Sequence, residues 1–250
     1  LIKVLVNFIF INLIIGKSLT KKAVLIVSPD RGFLGNTKLI DLSSSFLSKL
    51  KVIPNYAFID NETKEIHYKS SIKELRLKGI KEILILESTL FSSAKTQKKL
   101  RKSISKDFKS HNIEAKFSQS FGESLFFTEL ILKHLESKSL LLFYSAFPIA
   151  GKNLIETHIQ KKLLREMPKS TKEEIIPIII GPDLKKGFKN SFSQIKIKTH
   201  PSNKKILFFD LNSPEKEKLK SFGTALKYNY PGSKKIDIFA SEHYQKWLIS

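Results

Sequence analysis

The chain has 250 residues, 41% hydrophobic and 27% charged, which is enough length and apolar content for one large or two small globular domains. It has no cysteine, so disulfides, thiolate metal sites and cysteine nucleophiles are excluded. A net charge of +21 favours anionic partners, but it comes mostly from lysines spread along the chain, and no nucleic-acid partner is expected.

Residues 1–18 read as a secretory signal peptide. Lys3 supplies a positive start, Val4 to Ile15 an apolar stretch, and Gly16-Lys17-Ser18 a small-x-small cleavage site. The apolar stretch is shorter than the roughly 20 residues a membrane span needs. The expectation is an exported, periplasmic protein that meets a membrane only if this segment stays uncleaved.

Ala23–Val27 is a continuous apolar run, as in a parallel strand covered on both faces. The Pro/Gly-punctuated turn Ser28–Asn36 and an amphipathic helix from Thr37 to Leu50 follow. The loop leaving the carboxyl end of such a strand is where ligands sit in open α/β sheets. Ser28 and Arg31 are therefore candidate ligand contacts and Asp30 a candidate acid or base. The alternative is that Pro29, Gly32 and Gly35 only build the turn, with Asp30 and Arg31 ordering it.

Further strands are expected at 54–60, ending in Asp60, at 81–87, ending in Glu87, and at 113–117. Helices are expected at Ile66–Leu77, Ala94–Phe108 and Ser124–Leu135. Four β-α units in succession predict a parallel sheet flanked by helices. The second half repeats the pattern less regularly. Strands are expected at Leu140–Tyr144, Ile175–Ile180, Lys205–Asp210 and Lys235–Ala240, with an edge strand around Ile195 and Ile197. Helices are expected at Lys152–Met167, at 213–222 and through Trp247.

A shift of 117 residues lays Ser28 on Ser145 and Asn36 on Asn153 and keeps the two following helices in phase. The chain thus reads as an internal duplication: a signal peptide at 1–18, an α/β lobe at 20–137 and a second at 138–250, with a cleft between the carboxyl ends of the two sheets.

The six histidines are dispersed and none forms a helix-borne metal pair. No Gly-x-Ser-x-Gly elbow, phosphate-binding loop or dinucleotide fingerprint occurs. The segment "SPDRGFLGN" is similar to one in rotary ATP synthase gamma subunits. Those subunits need a long helix before it, for which the 27 preceding residues do not suffice.

Taken in order, Lys21–Asn36, "YAFID", "KGIKEILIL", "TLFSSAKTQKKLRKSI" and "FGESLFFTELILKHL" resemble the sirohydrochlorin cobaltochelatases of the class II chelatase superfamily. The resemblance covers roughly residues 21–137. It implies two similar lobes, each a parallel sheet flanked by helices, and a lyase of cobalamin biosynthesis that inserts cobalt or nickel into an anionic tetrapyrrole. The family opens its first loop with His-Gly-Ser, where this chain has Pro29-Asp30-Arg31, and its second histidine aligns with Thr96 beside Lys95. The acid that ends the family's second strand is matched by Asp60.

Insertion needs a base for the pyrrole protons and a ligand for the incoming metal, and neutral imidazole serves as both. Without those histidines the expectation is an exported chelatase-like protein with a degenerate metal site. It would bind an anionic tetrapyrrole or a metal in the cleft through Ser28, Arg31, Lys95 and Thr96, with no metal ligand assigned. Two alternatives stay open: a lyase with a rewired carboxylate site at Asp30, Asp60 and Glu87, or an interaction protein that keeps only the fold.

Overall fold

β1 (Ala23–Pro29) shows why the apolar run is unbroken. Val24 and Ile26 face one hydrophobic core, whereas Ala23, Leu25 and Val27 face another on the opposite side of the sheet. The computed structural model describes residues 23–60, 63–89, 94–134, 139–145, 176–180, 205–212 and 232–250, with Thr157, Ile159, Lys161, Arg165 and Thr224 as isolated helical positions.

The first sheet has the order β3-β2-β1-β4-β5, from β2 (Ile53–Ile59), β3 (Ile66–Tyr68), β4 (Glu82–Glu87) and β5 (Glu114–Phe117). Its strands are parallel except β3, which runs antiparallel along the edge of β2. Pro54 lies in β2 before the stretch that pairs with β3, so its missing N–H removes no bond on that side.

Two faces cover this sheet. On one, α2 (Ile72–Leu77) and α3 (Ala94–Lys109) bury Ile72, Leu75, Ile104 and Phe108 against Leu25, Val27, Ile83 and Ile85. On the other, α1 (Gly32–Lys49) and α4 (Leu125–His134), with the 3₁₀ turn Phe121–Glu123, bury Leu39, Leu47, Phe121, Phe127 and Leu130.

The second sheet has the order β7-β6-β8-β9, all parallel: β6 (Ser139–Ser145), β7 (Ile176–Ile180), β8 (Lys205–Asn212) and β9 (Lys234–Ile236). β6 is flanked by β7 and β8 as β1 is flanked by β2 and β4, and Pro177 falls on the edge strand β7. The protein is thus α/β, with a mostly parallel sheet flanked by helices, as expected.

The last helix, α5 (Glu242–Ile249), packs against α1 and α4 of the first half. Ser241 caps it, its Oγ accepting from the Tyr244 N–H at 3.2 Å, and Tyr244, Trp247 and Leu248 are buried in the core shared with β1, α1 and α4. Ile159, Leu207, Phe209, Ile236, Ile238 and Phe239 join the same core.

Three elements differ from expectation. The strand expected over Lys235–Ala240 is only Lys234–Ile236, and the chain turns from Asp237 onward. Ile66–Leu77 is not one helix: Ile66–Tyr68 is the strand β3, and only Ile72–Leu77 is helical. The turn at Ser28–Asn36 is shorter than expected, because β1 runs to Pro29 and α1 begins at Gly32. The expected signal segment, the edge strand near Ile195, the helix at 213–222 and most of the helix over 152–167 lie outside the described residues.

Candidate functional site

The carboxyl edge of the first sheet gathers most of the expected site residues. Ser28 lies near the end of β1 and Asp30 follows it, Asp60 follows β2 beside them, and Glu87 ends β4 on the other side, in register with Val27. Backbone bonds join these strand ends: Asp30 donates to the Ile59 carbonyl at 2.8 Å and Ser88 to the Val27 carbonyl at 2.8 Å. The backbone brings the residues together, but their side chains turn to separate partners.

Asp30 holds the start of α1. Its Oδ1 accepts from the Gly32 N–H at 2.9 Å and from Asn36 Nδ2 at 2.8 Å, while Asn36 Oδ1 accepts from the Arg31 N–H at 3.0 Å. This reciprocal pair satisfies backbone donors that the first helical turn leaves open. Gly32 sits at φ 68°, and a Cβ on Gly35 would lie 2.5 Å from the Arg31 Cβ, so both glycines are required where they stand.

Arg31 is buried, its guanidinium 3.5 Å from the centroid of the Phe239 ring. Its charge anchors the segment before α5, and the nearby Lys38–Asp237 ion pair at 2.5 Å makes a second tie between α1 and that segment. Burial pushes the Asp237 carboxyl up, but hydrogen bonds from Lys38 and the Ala240 N–H, with the Lys38 and Lys235 charges, hold it below its ordinary range.

Ser28 is fully buried and its hydroxyl donates to the Pro29 carbonyl at 3.2 Å. Ser88 is buried with its Oγ 2.8 Å from the hydroxyl of Tyr244, whose ring meets Phe121 and Phe239 edge-to-face at 5.0 and 4.9 Å. Trp247 Nε1 donates to the Gln119 carbonyl at 3.2 Å. The C-terminal segment therefore seals the α1/α4 side of this edge.

Asp60 shapes the β2–β3 turn, its Oδ1 accepting from the Thr63 N–H at 2.7 Å and the Thr63 hydroxyl at 3.1 Å. Glu87 is fully buried on the α2/α3 side. One oxygen accepts from Arg101 Nε at 2.5 Å and the other has no hydrogen-bond partner. Burial pushes its carboxyl up by more than Arg101 draws it down, and Glu123 adds to the rise. Arg101 also donates to the Ser118 carbonyl at 3.2 Å.

What remains open to solvent at this edge is different in kind. Lys95 and Thr96 in the first turn of α3 are exposed, as are Lys98 and Lys99, and Gln97 tethers that turn to Ser120 at 3.4 Å. On the first turn of α1, Phe33 is 83% and Leu34 55% exposed. Among the described residues no group of three or more His, Asp or Glu side chains is placed to hold a metal ion.

Arg101, Phe239, Tyr244, Trp247 and the exposed Phe33 were not singled out from sequence. The density of aromatic residues over 239–247 was a signal for Phe239, Tyr244 and Trp247, and no local pattern marked Arg101 or Phe33.

No protein-family model and no curated protein matches the sequence. Two solved structures are similar to it over nearly their whole length. One is "SirB from Bacillus subtilis with Fe3+", with a TM-score of 0.60 and 14% identity, covering 92% of this chain and 93% of that one. The other is the sirohydrochlorin chelatase SirB from Bacillus subtilis subspecies spizizenii in complex with cobalt, with a TM-score of 0.58 and 14% identity, covering 92% of each chain. The fold is chelatase-like. At this identity the likeness reaches the fold and no further.

Proposed function

We propose that the chain binds an anionic tetrapyrrole at the carboxyl edge of the first sheet without inserting metal into it. The observation that carries this reading is the composition of the open edge: exposed lysines on α3 and an exposed Phe-Leu pair on α1, with no metal-holding group among the described residues. A tetrapyrrole of the sirohydrochlorin kind is an apolar plane ringed by carboxylates. Phe33 and Leu34 offer contact to the plane, and Lys95 and Lys98 attract the rim.

The donor set does not fit a cobalt or nickel substrate. Pro29-Asp30-Arg31 and Thr96 supply no imidazole, and Arg31 brings a permanent positive charge to the first loop. The reading of a rewired carboxylate lyase finds little support in the geometry. Asp30 caps a helix, Asp60 forms a turn, and Glu87 is buried against Arg101.

The test is absorbance of the purified protein titrated with sirohydrochlorin, with and without Co²⁺. Expected are a spectral shift on binding, weakened by salt and by Lys95→Gln/Lys98→Gln, and cobalt insertion no faster than without protein. Insertion well above the protein-free rate would overturn the proposal, and so would binding indifferent to salt and to those lysines.

The proposal also places the protein in the periplasm, on the apolar stretch Val4–Ile15 and the cleavage pattern after it. Protein from its native cells should then begin near Leu19 by mass analysis. Cytoplasmic protein retaining residues 1–18 would remove this part.

A further inference from the structure

α3 carries two opposed stripes. Leu100, Ile104 and Phe108 recur every four residues and face the sheet, Ile104 and Phe108 fully buried. Lys95, Lys99, Lys102, Lys106 and Lys109 alternate at spacings of four and three, and all five are exposed. At 100° per residue they fall within an arc of about 80° centred opposite the apolar stripe, along about 21 Å of helix. Lys98 adjoins the row.

Elsewhere in the described residues some surface lysines are paired, Lys38 with Asp237, Lys116 with Glu82, and Lys133 and Lys246 with Glu242, and those that are not form no such row. Among the described residues the six lysines of α3 make no ion pair. Like charges three and four residues apart destabilise a helix, and the first turn has no acidic residue to complement the helix dipole. A merely solvated surface would have been better served by glutamates among these lysines.

We propose that this face of α3 docks on an anionic phospholipid surface. A straight row of lysines on an outward helix matches a diffuse sheet of headgroup charge, to which each lysine contributes independently. Nucleic acid fits less well, because the row contains no arginine for bidentate phosphate or base contacts and no exposed aromatic side chain for stacking. On α2, which covers the same side of the sheet, Leu77 is 77% exposed and supplies an apolar contact of the kind that peripheral membrane proteins insert. This inference stands apart from tetrapyrrole binding, which uses the first turn of α3 and the start of α1.

The experiment is sedimentation of the full chain with vesicles of phosphatidylcholine alone or with 30% phosphatidylglycerol. The readout is the difference between the two, which an apolar N-terminal segment does not produce. Three proteins are compared: the unaltered chain, Lys99→Glu/Lys102→Glu/Lys106→Glu, and the scattered charge-matched variant Lys49→Glu/Lys161→Glu/Lys234→Glu. The corresponding Lys→Gln triple variant of α3 serves if the Glu variant fails to fold.

Expected is salt-sensitive binding to the anionic vesicles that falls about a hundredfold in the α3 variants, at about fivefold per lysine, and less than threefold in the scattered one. Equal binding to both kinds of vesicle would overturn the proposal. So would equal loss in the two charge-matched variants, or tighter binding to duplex DNA that the α3 variants abolish.

Discussion

Glu87 and Arg101 form the most constrained charge pair at the edge, and their energetics follow from an asymmetry. Glu87 is fully buried with one oxygen unpartnered, while the Arg101 side chain keeps 37% of its surface in solvent. Taking the carboxylate out of water costs more than one hydrogen-bonded arginine returns, so the folded carboxyl titrates above its ordinary value. A carboxyl raised on folding binds its proton more tightly in the folded chain. Its contribution to stability is full below the unfolded value near 4.5 and is lost as pH rises through the higher folded value. Glu87→Gln keeps the shape and removes the titration. Denaturant midpoints measured from pH 4 to 8 should therefore fall more steeply with pH for the unaltered chain than for Glu87→Gln. Parallel pH profiles for the two proteins would show that Glu87 titrates as an ordinary surface carboxyl. Lys95 and Thr96, in contrast, were candidate ligand contacts through the family resemblance, and their side chains are exposed.

The strands were legible in the sequence because covering both faces of a parallel sheet leaves an apolar run that no other element explains, as in Ala23–Val27 and Ile83–Leu86. The start of α1 was not. Pro29, Gly32 and Gly35 have the composition of a loop, yet Asp30 and Asn36 clasp each other and let the helix begin at Gly32. β3 escaped notice because it is three residues long and exists only by pairing with β2, which no local periodicity reports. Within α3 the lysine row went unread, because in the sequence the positive charge is spread along the chain and only the helix collects it on one face. Each of the close pairs, such as Lys95–Lys99 and Lys102–Lys106, destabilises an isolated helix by about 0.2–0.5 kcal/mol. Packing of Ile104 and Phe108 against the sheet, at about 1.5–3 kcal/mol for each buried side chain, outweighs this. The helix is thus held by its contacts with the sheet, the Arg101–Glu87 pair among them, and its outer lysine face adds no stability.

At the scale of the molecule, the sequence suggested two lobes in tandem, and the structure adds a return of the chain that local patterns could not show. Arg31 meets Phe239, Lys38 meets Asp237 and Ser88 meets Tyr244, pairs separated by 156 to 208 positions. The contacts are apolar at their centre, where Tyr244 and Trp247 pack on Phe121, itself in contact with Phe127 of α4. Removing one buried aromatic ring of this kind costs about 3–5 kcal/mol, a large part of the 5–15 kcal/mol that holds most domains together. α5 should therefore melt with the first sheet rather than fray from it. Trp247 is the single tryptophan of the chain, so its fluorescence reports on this docking without any label. In a urea titration the Trp247 emission shift and the loss of far-ultraviolet circular dichroism should share one midpoint. Tyr244→Ala should lower both midpoints together, with a loss of several kcal/mol in the free energy of unfolding. A tryptophan transition that comes well before the loss of secondary structure would mean that α5 is an appendage. The first half would then fold without it, and the cluster of Phe121, Phe239, Tyr244 and Trp247 would not be the point at which the two halves of the chain are joined.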